Sequence, residues 1–509
     1  MADAELLTRL RRRYDGAETA WQPIRDAGDL DMRYVSGDPW DPREREARRQ
    51  SGRPCLSLDE LGQYTNQLIN EVRQHKRAIE VTPTGAGAND KTARLRGDLM
   101  RQIEYRSNAQ QVYTTGFENT VQRGYGYWRL KARYLDVLGE RFNQELFLEP
   151  VVNPDTILGD SESRMPDGSD WRYAWVRESW DIDEFHRKFP DADIKDFTGH
   201  LADYYPKWIQ RDRVQIAEYW EIETTQRELV LIQGATGPEE YFTDELEPAQ
   251  KAAVVLQRRP YEDKAVKQYV TNGIEILSRS DWCPRRQLPD GTWLNAVQHI
   301  PIVACYGKVL YLDKGKGTER ELFSLVRLAR DPAMLHAYIA TAKAEVIGGV
   351  TRAAWVGYEG QWRGHEADWQ KSAHEPITYL EVKALTEATG GQVLPLPTKQ
   401  SWDPPIQNLE LAQESARRAI QAAIGSSPLP TQAQRRNEKS GVALKEIDNA
   451  VQRGSFHFID HYEAALTFTA VLLDEHIPHY YDSMRDVTIR PVSGVPQVTR
   501  INAPGQVDP

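Results

Sequence analysis

Cysteine is scarce in this sequence: Cys55, Cys283 and Cys305 are the only three among 509 residues. An odd number without CxxC spacing builds neither a disulfide framework nor a cysteine zinc site, and it fits a reducing compartment. Long apolar runs are also missing. The best stretch, Ala464 to Leu473, is interrupted by Thr467 and Thr469, whereas a helix needs ~20 apolar residues to cross a bilayer. No membrane contact is therefore expected. The opening residues, Met-Ala-Asp-Ala-Glu, carry no apolar signal core, which predicts a protein not addressed for secretion. Positive charge is in deficit, with 64 Lys and Arg against 75 Asp and Glu and a net charge of −11. A protein that grips nucleic acid over a broad face shows the reverse bias, so any such contact should be local or weak.

What the sequence does have is aromatic mass: 14 Trp, 23 Tyr and 11 Phe, too many for a chain that cannot bury a core. Helical spacing marks Leu58, Leu61, Tyr64, Leu68 and Val72, and again Leu95, Leu99, Ile103, Val112 and Phe117, up to a turn signal at Gly124-Tyr-Gly126. The period then becomes two. Trp128, Leu130, Ala132 and Tyr134 alternate with Arg129, Lys131 and Arg133, which predicts a strand with one apolar and one cationic face. Further strands are expected around 142–152, 171–178 and 214–222, with a short helix over 181–189. A hairpin turning at Thr224-Thr-Gln226 should follow. Residues of about 240–259 read as helix up to Pro260, about 261–320 as a compact β insert, and 321–347 as helix interrupted by a kink or a fresh start at Asp331-Pro332. Residues of about 350–405 are mixed and rich in Trp, Gly and Pro. Two long helices, Ile406–Ile424 and about Ser440–His476, flank a polar loop from Gly425 to Lys439. The fold class is α+β.

Catalytic signatures are weak. His457 and His461 stand at i,i+4 spacing, which could hold a metal and would suit a metal-dependent hydrolase. Phe458 occupies the place where a zinc peptidase carries its Glu, and no third ligand is assignable, so two histidines beside a packed face is the favoured reading. His476 and His479, around Pro478, suit a helix end better than a ligand pair. Lys314-Gly-Lys-Gly-Thr318 lacks the spacing of a phosphate loop and reads as a turn. No cofactor is expected. The cations at 129, 131 and 133 fit a solvated strand face, or a subunit contact with an acidic neighbour, better than phosphate. The stretch from Thr431 to Lys445 is locally basic, with Arg435, Arg436, Lys439 and Lys445 against Glu438; a solvated surface is the ordinary reading of such a run.

Several stretches, in order, resemble the portal proteins of short-tailed double-stranded DNA bacteriophages. They are Arg53-Pro-Cys-Leu-Ser57 with the helix carrying Asn66 and Asn70, Ile79-Glu-Val-Thr-Pro83, Gln102-Ile-Glu-Tyr-Arg-Ser-Asn-Ala109, Phe117-Glu118, Gly124-Tyr-Gly-Tyr-Trp-Arg129, Trp180–Pro190, His299–Gly307, Val326–Asp331, and Ser440–Leu444 with the helix through Tyr462. The resemblance implies a non-enzymatic ring of subunits, typically twelve, at one capsid vertex. Such a ring is a channel for packaging and ejecting DNA and a dock for terminase, tail adaptor, capsid and scaffolding proteins. It implies a place in the virion, reached through assembly in the host cytoplasm. It also implies a portal fold, for which the expected division is a wing over 1–240 (helical, then β-rich), a first stem helix at 241–260 and a clip at 261–320. A second stem helix at 321–347, the second part of the wing at 348–424, a channel-facing tunnel loop at 425–439, and a long wing/crown helix with its tail at 440–509 complete it. Gln434, Arg435, Arg436 and Lys439 are then the candidates for non-specific contact with DNA. Trp282 and Trp293 are candidates for partner contact on the clip, with packing in the interior as the equal alternative.

Overall fold

The computed structural model describes residues 2–74, 79–84, 89–135, 142–192, 209–210, 213–233, 237–246, 254–288, 293–313, 315, 318–351, 355–371, 379–386, 391, 393–399, 406–425 and 456–503. The chain divides into two compact units, one made of residues 1–32, 65–325 and 455–509, the other of 33–64 and 326–454. The described helices are α1 (Ala2–Val35), α2 (Pro42–Gln50), α3 (Gly62–Gln74), α4 (Asp90–Arg106), α5 (Ala109–Arg123), α6 (Ile182–Lys188), α7 (Arg330–Thr351), α8 (Glu366–Lys371), α9 (Ile406–Ile424) and α10 (Phe456–Tyr480).

The first unit is built on two sheets. One is three-stranded, in the order β12-β1-β2, where β1 is Tyr125–Tyr134, β2 is Gln144–Pro150 and β12 is Ile302–Tyr306. The other runs β3-β4-β6-β8-β9, with β5 and β7 also paired to β6; its strands are β3 (Ile157–Gly159), β4 (Tyr173–Asp181), β5 (Ile209–Gln210), β6 (Arg213–Gln233), β7 (Pro238–Phe242), β8 (Val255–Thr271) and β9 (Ile276–Trp282). Both faces of β1 are covered in its first half. Tyr125 and Tyr127 point into a core shared with Leu10, Tyr14, Ala17, Trp21 and Ile24 of α1, which recur at helical spacing, and with Trp175, Tyr219 and Tyr306. Alternate residues face the other way, so Trp128 meets Tyr113 of α5 and Tyr462 of α10. Gly124 caps α5 with φ 95°, a left-handed conformation that favours glycine. Gly126 lets helix and strand backbones touch, since a Cβ there would lie 1.9 Å from the carbonyl oxygen of Gly116.

Four expectations change. Helix was expected over 241–260, but its described ends are strand: β7 ends at Phe242, and β8 begins at Val255. Pairing of β8 along β6 from Val255 to Thr271 outweighs the helical look of the sequence, and Val254 and Val255 are β-branched. No hairpin forms at Thr224-Thr-Gln226. There β6 runs unbroken through residues that have none of the Gly, Pro or Asn chemistry a tight turn uses. Residues 261–320 are not a separate insert either, because β8 pairs with β6 and β12 pairs with β1 from Tyr125 to Arg129. The second expected stem helix, 321–347, opens as strand. β13 (Lys308–Asp313) and β14 (Thr318–Phe323) form a hairpin around the Gly315 turn, and α7 starts only at Arg330, with Pro332 in its first turn. The two-strand ladder of β10 (Arg286–Gln287) and β11 (Trp293–Leu294) and the hairpin of β17 (Arg485–Ile489) and β18 (Gln497–Ile501) complete the unit.

In the second unit α7 and α9 pack on each other through small and branched side chains, with Ala337, Ala340, Ala416, Ile420 and Ile424 buried. Lys343 and Glu410 pair across them at 2.8 Å, and Gln413 reaches His336 at 3.2 Å. The segment between the two helices closes at its base by pairing β15 (Trp355–Val356) with β16 (Thr398–Lys399). It holds α8 and a Trp355–Trp369 edge contact at 5.0 Å. Two helices bracketing a small β-containing segment are thus present, but over 330–424. Trp40 of the same unit is fully buried beneath Arg48 and Tyr338, and Arg48 and Arg53 both bind Glu345.

Candidate functional site

Helix α10 carries the histidines. Nδ1 of His461 lies 3.0 Å from the carbonyl oxygen of Tyr306 and 2.9 Å from that of Gly307, so it carries the proton and donates into the end of β12. Phe458 and Tyr462 beside it are buried, with Tyr462 5.0 Å from Phe117. Partial burial, with Lys308 and His461 nearby, lowers the pKa of His457. Among the described residues no group of three His, Cys, Asp or Glu could hold a metal. Phe458 and Tyr462, between and beside the two histidines, form a packed face.

His476 and His479 lie inside α10 rather than after it, because the helix continues through Pro478 to Tyr480. His476 is fully buried. Its Nδ1 donates to the Leu472 carbonyl at 2.6 Å, and its Nε2 accepts the indole N–H of Trp282 at 2.9 Å. Burial lowers its pKa to about 4. Burial also pushes the Cys283 thiol up to about 11 and the Cys305 thiol up to about 12, so neither is a ready thiolate.

The cations of β1 meet carboxylates of the same chain. Arg129 is buried and lies 2.7 Å from Glu178, 3.2 Å from Glu218 and 3.7 Å from Glu149. Lys131 pairs with Glu149 at 3.1 Å, and Arg133 binds the same carboxylate. The acidic neighbours lie in the same chain, neither solvent nor another subunit: Arg129 and Lys131 reach carboxylates of both sheets, and Arg133 stays within its own.

Of the two tryptophans singled out for partner contact, Trp282 is half-buried against the core. It packs edge-on to Trp220 at 5.0 Å as well as bonding His476. Trp293 is half-buried too, with the Arg285 guanidinium 5.1 Å from its ring. That guanidinium also covers Phe242 at 4.6 Å, and Arg227 covers the same ring at 3.9 Å. Glu245 accepts from both arginines. Gln434, Arg435, Arg436 and Lys439 lie outside the described residues, between the end of α9 and the start of α10.

Two features escaped the sequence reading. One is a cavity of about 280 Å³ lined by Ile79, Glu80, Glu104, Glu463, Leu466, Thr467 and Ala470. Burial raises the pKa of Glu104, which accepts from the Tyr113 hydroxyl at 2.9 Å. The other is the α7–α9 pair. One side of the exposed surface of α9 is an uncharged row, Asn408, Ala412, Ser415, Ala419 and Ala422, all exposed, while Glu410, Glu414, Arg417 and Arg418 are exposed beside it. The signal for the pair was available: a Trp-, Gly- and Pro-rich segment between two helical periodicities.

A profile of the phage P22-like portal protein family matches residues 11–509. A portal protein from Acyrthosiphon pisum secondary endosymbiont phage 1 is 20% identical over 517 residues, a match that covers 96% of this chain and 68% of the relative.

Proposed function

Because the chain belongs to the phage P22-like portal protein family, a structural family of bacteriophage portals, we propose that it forms the ring through which double-stranded DNA enters and leaves the capsid. In this reading α7 and α9 are the stem, and the segment they bracket, about 352–405, is the clip. That segment exposes Tyr358, Tyr379 and Leu396, which suit contact with terminase during packaging and with tail adaptors afterwards. Trp293 is a second place for such contact. Capsid and scaffolding proteins would meet the ring elsewhere, during assembly in the host cytoplasm.

The observation that carries the reading is the uncharged row on α9. A wall along which DNA slides must not hold phosphates, because each phosphate neutralised by Lys or Arg releases a counterion and adds affinity, with a log–log slope of about −0.9 per contact. Asn408, Ala412, Ser415, Ala419 and Ala422 offer no cation, and the two exposed arginines beside them each have a carboxylate partner, Arg417 at 2.6 Å from Glu60 and Arg418 at 3.2 Å from Glu414. A net charge of −11 per copy makes the assembly repel DNA as a whole. The loop that follows α9 supplies the exception. Gln434, Arg435, Arg436 and Lys439, one set per subunit, would touch the backbone without reading sequence. Replacing Arg435, Arg436 and Lys439 together by Ala should leave rings intact and reduce the DNA packaged or retained per particle. Unchanged DNA content would remove the loop from the account.

A further inference from the structure

Alongside Leu229–Gln233 the large sheet is three strands wide, with β7 on one side of β6 and the start of β8 on the other. Both outer edges are open among the described residues, since β9 pairs with β8 only from Val266 to Thr271 and β7 pairs with β6 alone. The two edges differ in charge. On β7 stand Pro238, Glu239 and Glu240, with Pro238 and Glu240 exposed. On β8 every residue from Val255 to Pro260 is exposed, Arg258 and Arg259 among them. Beside these arginines lies a run of exposed apolar side chains, Val254 at 68%, Val255 at 39% and Leu256 at 49%, the kind of contiguous patch that marks a contact surface.

The edge chemistry also says what does not bind there. The Glu228 carbonyl accepts from the Thr243 N–H on the β7 side at 3.0 Å, so Glu228 turns away from β8. Its partner in register, Pro260, therefore has its ring nitrogen on the outer side of β8, where no bond to β6 is lost. A proline and two arginines along an edge keep like edges from pairing. An acidic edge is what they fit.

We propose that the β8 edge of one copy docks on the β7 edge of the next, with Arg258 and Arg259 meeting Glu239 and Glu240 and the Val254–Leu256 run covered. This rests on the ring reading and gives it a contact. Two different patches of one chain meet, which is the head-to-tail geometry that closes rings. Within one chain Arg258 lies 3.4 Å from Glu228 and Glu239 accepts from the Tyr241 hydroxyl at 2.9 Å. Such exposed contacts are weak and exchange readily.

The test uses two variants of the full chain, Arg258→Glu with Arg259→Glu and Glu239→Lys with Glu240→Lys, followed by sedimentation velocity. Each variant alone places like charges across every junction and should need roughly tenfold more protein, or higher, to assemble. An equal mixture places opposite charges at every junction of an alternating ring and should assemble at the wild-type concentration. If both variants form rings alone as the wild type does, or if the mixture fails as each does alone, the contact is wrong while the ring reading stands. If the wild type forms no ring, the ring reading falls and this contact with it.

Discussion

His476 shows how the interior fixes one protonation state. Its Nδ1 gives a proton to the Leu472 carbonyl and its Nε2 takes one from Trp282, so a second ring proton would face the indole N–H. With a pKa near 4 in the folded chain and about 6.5 unfolded, the unfolded state binds more protons in between. Stability should rise with pH from about 4 to 6.5 and be lost on acidification through that window, by an amount on the order of 3 kcal/mol. His479, also lowered by burial, adds in the same direction. Urea midpoints measured across that range should rise with pH in the wild type and less steeply in His476→Gln; equal slopes would contradict the assignment. None of this was legible beforehand. The sequence shows His476 near Pro478 and suggests a helix end, but the indole that fixes its tautomer comes from Trp282, 194 residues away.

At the scale of elements, the Arg129 network ties four strands together. Burying a cation among Glu149, Glu178 and Glu218 is tolerable because each charge is paired. Glu178 shows the balance: burial alone would raise its pKa, but the Trp180 N–H, Arg129 and Lys131 together lower it. Arg129→Leu should therefore destabilise by about 3–5 kcal/mol at neutral pH. The loss should shrink in acid, where the carboxylates can take protons. A loss independent of pH would point to packing instead. The alternation of Trp128, Arg129, Leu130 and Lys131 revealed the strand correctly, yet it hid the fate of Arg129, because a period of two says which residues share a face but not what covers it. The failure at 241–260 has a related cause. Helical propensity is local, whereas β8 is held by a partner strand read from far upstream, Ala217–Ile232. Where periodicity is long and local the helices were legible, α9 to its ends and α10 over 456–476 of the expected 440–476, residues 440–455 lying outside the described ones.

At the scale of the whole molecule, the order of short motifs placed the chain in its family over nearly its full length, which no single segment did. The division into parts was less legible. A helix, a β-containing segment and a helix were expected over 241–347, and the same succession is found over 330–424. The helical look of 255–259 and of 321–323 gives way there to the start of one strand and the end of another. In the proposed assignment α9 ends at Ile424, directly before the loop that carries the basic residues, so the proposed wall and the proposed DNA contact are neighbours in the chain. On this proposal the acidic total of −11 suits a protein that would touch DNA only at that loop. The most direct test is electron microscopy of the purified full-length protein viewed along its assembly axis. The account predicts closed rings with an open centre wide enough for duplex DNA. Stable monomers under all conditions, or assemblies with no central opening, would contradict it.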